Sequence, residues 1–360
     1  MLGIYYLSVI SRGVRMNSLL SARLFSAGTG SLLAVFLFAP PGIGMAEYSD
    51  AVKECMLQNM EVEGDDTTLG QLRNKCLSEH GEDDVAQSDM DAEGVVKERL
   101  AVEDANILSP FTLMAHRPNY LLVAAYNSSG FNAEPFREAF DDPSIDLDDT
   151  EAQFQLSVKF PLAVNLFDKN IDIFAAYTIR SFSQAYNSDI SFPFRDTNHE
   201  PEAWVQFRPD WRFAGFSNSV NALGFVHQSN GRGGDLSRSW NRIYANFLLE
   251  RGDLALGIKP WYRIPGNADD DNPDIDDFLG YGEVRAAYKW KENTFGMMFR
   301  NVFESGFEKG AVELSWSFPL WDYDYFRGYV QYFNGYGQSL IDYNQRVNSI
   351  GIGLSLTDYL

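Results

Sequence analysis

This chain has no long hydrophobic run beyond its first 46 residues. No later segment approaches the roughly 20 consecutive apolar residues that a spanning helix needs, so a helical membrane bundle is excluded. A β-barrel is not, because its strands alternate and its mean hydropathy stays low. Positive charge is scarce. Lys and Arg number 29 against 50 Asp and Glu, and the net charge of -21 argues against nucleic acid as a partner. The four histidines, His80, His116, His199 and His227, are too scattered for a His-rich metal site. No phosphate-cradling loop, dinucleotide fingerprint or zinc spacing occurs. What the chain does have is aromatic residues, 18 Tyr and 27 Phe among 360.

The N-terminus has the pattern of an export signal. Arg12, Arg15 and Arg23 precede the apolar stretch 32–38, and small residues stand at the -3 and -1 positions of a cleavage after Ala46. Residues 1–46 are therefore read as a signal peptide, with either Met1 or Met16 as the start. An exported, oxidising setting makes a disulfide the expectation for the two cysteines, Cys55 and Cys76. Residues 47–105 are acidic and set apart, with helical stretches expected over 48–60 and 68–80 and a linker over 81–105. They read as a short disulfide-tied periplasmic segment rather than a docking element.

From about residue 119 the period of the sequence changes to two. Twelve strands are predicted, at 119–128, 151–161, 169–184, 200–209, 219–229, 239–251, 253–263, 278–290, 293–303, 308–318, 325–334 and 347–360. The last is the clearest. Ile350, Ile352, Leu354 and Leu356 share one face, and Ser349, Gly351, Gly353, Ser355 and Thr357 the other. Large apolar residues outside and small polar ones inside fit a wall in lipid. Long polar connections such as 265–277 alternate with tight ones such as Arg251-Gly252 and Lys291-Glu292. The fold class is thus all-β, a 12-stranded antiparallel transmembrane barrel over 106–360 behind a short periplasmic segment. Closing the last strand on the first leaves no free edge.

One stretch, 225–241, concentrates reactive groups. If 219–229 is a strand, Leu223, Phe225, His227 and Ser229 share a face. On the next strand Asn241, Ile243, Ala245, Phe247 and Leu249 do the same. Three polar groups then sit at the rim of two apolar stripes. A serine hydroxyl is a weak nucleophile until a base takes its proton; histidine is the usual base. Asn241 can hold the imidazole by accepting its ring N–H, without placing a carboxylate in lipid. Gly231 can offer its backbone N–H to an oxyanion. The loop 231–239 is rich in carbonyls and hydroxyls and carries Asp235, oxygen donors of the kind Ca²⁺ prefers.

The run His227-Gln-Ser-Asn-Gly-Arg232, followed by Ser237-Arg-Ser-Trp-Asn-Arg242, resembles the active-site signature of the bacterial outer membrane phospholipase A family. Co-linear stretches agree. They are 109–113 with 119–121, then 193–201, 211–215, 259–262, 271–275 and 336–344. The resemblance covers about 105–360. It implies a 12-stranded outer-membrane barrel that hydrolyses phospholipid acyl esters with Ca²⁺ and is active as a homodimer. By position it implies Ser229 as nucleophile, His227 as general base and Asn241 as the residue orienting it, with the Gly231 amide at the oxyanion. It also implies calcium held by the Arg232 carbonyl, by Ser237 and by Ser191 of the partner subunit.

Two departures from the family pattern stand out. A glutamine that bonds across the dimer face falls at Ile179 here. An accessory calcium carboxylate falls at Gly234, with Asp235 shifted by one; Asp269, Asp270 and Asp271 are further candidates. The expected function is a calcium-dependent phospholipase A1/A2, also acting on lysophospholipids, in the outer membrane of a Gram-negative bacterium. The alternative is a non-catalytic structural or pore-type barrel. A surface protease is disfavoured, because its groups would stand on loops in water.

Overall fold

A computed structural model describes Cys55, Lys75, Cys76 and residues 94–107, 113–168, 170–190, 193–209, 211–266, 270–301, 305–306, 308–321 and 323–360. All belong to one unit, Glu47–Leu360. The expected signal peptide lies outside the described residues, as do the expected helical stretches at 48–60 and 68–80 apart from Cys55, Lys75 and Cys76. Cys55 and Cys76 are joined by a disulfide.

Twelve antiparallel strands form a closed barrel. They are β1 (Asn119–Asn127), β2 (Thr150–Ala163), β3 (Ile171–Ser183), β4 (Phe194–Phe207), β5 (Phe216–Ser229), β6 (Ser239–Arg251), β7 (Leu254–Ile264), β8 (Gly282–Trp290), β9 (Asn293–Asn301), β10 (Gly310–Leu320), β11 (Tyr323–Gly335) and β12 (Val347–Thr357). Each pairs with its neighbours in sequence, and β1 pairs with both β2 and β12, so the sheet has no open edge. Two-residue strands at 114–115 and 212–213 add to the ends of β2 and β5.

The wall is inverted relative to a water-soluble core. On β12, Ile352 is 57 % exposed while Ser355 is 1 % exposed. On β5, Leu223 and Phe225 are 63 % and 46 % exposed, and Val226 between the stripes is buried. Exposed apolar side chains on every second position meet hydrocarbon, and exposed Trp290, Trp316, Trp321, Tyr323 and Tyr325 lie toward the tight-turn end, as interfacial aromatics do.

Inside, charges are paired. Glu202 accepts from Tyr244 Oη at 2.7 Å, Arg117 Nη2 at 2.9 Å and Lys259 Nζ at 3.3 Å, and bonds His116 Nε2 at 2.8 Å. Buried Arg195 spans Glu151 and Asp342. Each removal of one partner would strand a buried charge. A cavity of about 100 Å³ is lined by Arg117, Glu200, Lys259, Glu283 and Arg285, and another of about 240 Å³ by Glu202, His116 and Tyr244.

Connections alternate as expected. Gly252-Asp253 and Lys291-Glu292 are tight, and Gly252 and Lys291 take the positive φ such turns require. The opposite end carries long connections, the first holding α2 (Glu134–Phe140) and the one before β8 holding α3 (Asp276–Leu279).

Two expectations are corrected. The strand expected at 200–209 begins at Phe194, because Arg195, Asp196 and Asn198 find polar partners inside the barrel; Asp196 and Asn198 pair in register with β3, and Arg195 stands at a bulge between them and Phe194. The linker expected over 81–105 contains a helix, α1 (Val95–Asn106), preceding β1. Polar contacts hold it to the barrel. Glu250, 1 % exposed, accepts the backbone N–H groups of Val96 and Lys97 at the first turn of α1 and the Ser219 hydroxyl. A carboxylate there satisfies orphan donors and opposes the helix dipole. Gly94 permits the approach, since a Cβ on it would lie 2.3 Å from Glu250 Oε2. Burial alone would raise the Glu103 carboxyl pKa, but the Lys159 and Arg99 cations outweigh it and hold that carboxyl below its ordinary value.

Replacing Glu250 by Ala leaves three donors without an acceptor, a cost of about 1–3 kcal/mol for each buried group. Glu250→Ala should therefore release α1, read as faster proteolytic cleavage within 94–107, while the barrel keeps its heat-modifiable electrophoretic shift. Unchanged cleavage would show that this carboxylate does not hold the helix.

Candidate active site

The site lies where β5 and β6 reach the long-loop rim. Their register places His227 opposite Asn241 and Ser229 opposite Ser239. Residues paired across a sheet share a face, so His227, Ser229 and Asn241 all project from the lipid-facing side, and all three are partly buried. His227 Nδ1 and Asn241 Oδ1 are 2.9 Å apart. With the amide oxygen as acceptor, the ring carries its proton on Nδ1 and leaves Nε2 free to take one. Ser229 Oγ makes no hydrogen bond among the described residues. A serine two residues from its base is within reach of a rotamer change, and such contacts are often long before substrate arrives.

The loop after β5 is closed by one side chain. Buried Asn230 accepts from the backbone N–H of Arg232 at 3.3 Å and of Arg238 at 3.0 Å, and its amide donates to the Leu236 carbonyl at 2.9 Å. Leu236 packs with Phe136, Ile145, Leu147 and Ile341, which ties the loop to two other rim segments. Arg232 donates through Nη2 to the carbonyls of Phe194 and Arg195. The Ser239 N–H donates to Asn272, a fully buried side chain. Gly231 has φ +65°, a conformation costly for other residues, and its N–H makes no hydrogen bond among the described residues.

The oxygens expected to hold calcium divide into three groups. The Arg232 carbonyl and the Ser237 hydroxyl stand on the closed loop and accept no hydrogen bond among the described residues. Free hard-oxygen donors on a fixed loop fit Ca²⁺. Asp235 is exposed on the same loop. Asp270 is committed to Arg263 at 2.7 Å. Asp271 lines a cavity with Asp270, Ser239 and Asn241. Ser191 and Asp269 lie outside the described residues. No cluster of three or more His, Cys, Asp or Glu poised for a metal occurs among the described residues.

Two neighbours were not picked out from the sequence. His199 on β4 lies directly across from Ser229, and Tyr177 on β3 bonds it at 2.6 Å. Strand parity alone does not reveal them, because the register of β4 against β5 is needed. Ile179 pairs with His199 on the same face.

Fold and wall together define an integral membrane β-barrel. The phospholipase A1 family model matches residues 96–356. Phospholipase A1 of Klebsiella pneumoniae is 37 % identical over 258 residues, 71 % of this chain and 87 % of that protein. Phospholipase A1 of Escherichia coli K12 is 38 % identical over 250 residues, 69 % and 83 %. Among solved structures, the Salmonella typhi outer membrane phospholipase dimer with bound calcium superposes with a TM-score of 0.65 at 37 % identity, covering 71 % of this chain and 97 % of that one. Outer membrane phospholipase A from E. coli gives 0.63 at 36 %, covering 69 % and 100 %. The chain belongs to the phospholipase A1 family, and it is a phospholipase of the outer membrane.

Asn230→Ala removes the three side-chain bonds that Asn230 makes across the rim loop, a loss of about 1 kcal/mol for each ordinary hydrogen bond. The expected outcome is a lower unfolding midpoint in denaturant and protease cutting within 230–238. A midpoint equal to that of the unaltered protein would mean the loop is held by contacts other than the Asn230 side chain.

Proposed function

We infer that the protein is a calcium-dependent phospholipase A, of A1 and A2 type and acting also on lysophospholipids, that uses Ser229, His227 and Asn241 and is activated by forming a homodimer. The observation that carries this reading is the 2.9 Å contact between His227 Nδ1 and Asn241 Oδ1 beside a serine on the lipid-facing side. In this scheme Asn241 fixes the tautomer of His227. His227 Nε2 takes the Ser229 proton as Oγ attacks the ester carbonyl carbon. The carbonyl oxygen becomes an oxyanion and accepts the Gly231 N–H. The bond to the glycerol oxygen then breaks, and that oxygen takes the proton from His227. Water next attacks the acyl-serine ester, giving its proton to His227; the fatty acid leaves, and Ser229 recovers its proton.

Calcium would be held by the Arg232 carbonyl and Ser237, with Ser191 of the partner subunit completing the set, and would supply positive charge to the developing oxyanion. Asp235, Asp270 and Asp271 are secondary candidates, Asp270 the weaker for its bond to Arg263. The partner would sit against the wall made by β3, β4 and β5, where Tyr177, Val205, Phe207, Leu223 and Phe225 are exposed. Apolar packing at Ile179 would replace a polar link there. A dimer requirement suits a site that opens onto the bilayer containing its substrate, because separate monomers would leave that bilayer intact.

Acyl release from phospholipid–detergent micelles tests the assignment. Fatty acid should appear with Ca²⁺, stop with EDTA, and fall by at least about 10⁴-fold in Ser229→Ala while the barrel stays folded. Turnover retained by Ser229→Ala would remove the nucleophile; no release from the unaltered dimer would return the reading to a non-catalytic barrel. Ser191→Phe should shift the calcium titration to higher concentration without changing the unfolding midpoint. A calcium titration equal to that of the unaltered protein would exclude Ser191 as a ligand.

A further inference from the structure

We propose that His199 is a second oxyanion donor, its Nε2–H standing beside the Gly231 amide on the substrate side of Ser229. The proposal rests on the hydrolase reading above and assigns a catalytic role to a residue outside the Ser229–His227–Asn241 set. Three observations carry it.

The first is register. His199 and Ser229 are direct partners across β4 and β5, so both side chains project from the same lipid-facing side. The second is orientation. The Tyr177 hydroxyl lies 2.6 Å from His199 Nδ1. A phenol donating to a neutral imidazole leaves the ring proton on Nε2. The ring is thereby held, and its other edge faces the loop: a methyl placed on Gly231 would lie 3.7 Å from His199 Cδ2 and 3.8 Å from Nε2. The third is the missing partner. Nε2 has no hydrogen bond among the described residues, and an unpaired N–H on a lipid-facing wall is costly. An ester carbonyl brought to Ser229 offers the acceptor it lacks.

An oxyanion generally takes two donors or a donor and a cation. The Gly231 N–H supplies one from β5. His199 supplies one from β4, so the negative charge formed on the substrate carbonyl is shared between strands. No proton is transferred to or from His199. The donor strengthens its bond as charge develops, which raises kcat more than it lowers KM.

The test compares the unaltered protein with His199→Phe, His199→Gln and Tyr177→Phe in micellar phospholipid, with calcium titration and chemical crosslinking of the dimer run in parallel. His199→Phe should lose kcat by roughly 10²-fold, with KM, the calcium midpoint and crosslinking unchanged. His199→Gln keeps an N–H donor and should recover most of the loss. Tyr177→Phe frees the ring and should give a smaller fall in kcat. A His199→Phe protein with full kcat overturns the proposal. So does a variant whose only change is in KM, calcium midpoint or crosslinking, because His199 would then serve binding or assembly. If the unaltered protein releases no fatty acid, the hydrolase reading itself fails; if it does and Ser229→Ala does not, the result for His199→Phe bears on His199 alone.

Discussion

A chain in hydrocarbon must satisfy every backbone N–H and C=O from within itself, and here that requirement is met by closing β12 on β1. The rest follows from closure. Strand parity puts apolar side chains on the lipid side and polar ones in the lumen. The lumen must then pair its charges, as Glu202 does with His116, Arg117, Lys259 and Tyr244. A reactive group on the lipid-facing parity can stand only near the rim, where loop backbone and polar side chains support it. His227, Ser229 and Asn241 occupy that zone.

The rim is over-determined around the loop after β5. Asn230 closes it from within, Arg232 ties it to β4, and Leu236 seats it among side chains of the first and last long connections. Such support holds the Gly231 amide and the Arg232 carbonyl in fixed directions, which is what preorganised donors and acceptors require.

Much of this was legible in the sequence. Alternation in β12 and β5 marks the wall because both faces of a barrel strand are constrained, one by lipid and one by packing. Parity permits His227 and Asn241 to meet if their strands are neighbours, and the hairpin register sets them directly opposite. Three features were not legible. The start of β4 was hidden because Arg195 and Asp196 look like loop residues until Glu151, Asp342 and the backbone of Ile341 meet them. Helix α1 was hidden because it is only weakly amphipathic; what holds it is distant in sequence, the polar anchors Glu250, Lys159 and Arg208 and the apolar cluster in which Ala255 and Ala287 bury Val95 and Val96. His199 was hidden because its role depends on the β4–β5 register, which no local pattern states.

The attachment of α1 also has a temporal side. Arg99 donates to the carbonyl of Tyr359, a partner 260 positions away, and to that of Ala115. The helix thus joins the chain's last residues to the segment just before its first strand. The loop entropy of so remote a contact is recovered only when the intervening sheet has formed. Seating of α1 is therefore a late event, and a helix found in place reports a barrel whose first and last strands have already met.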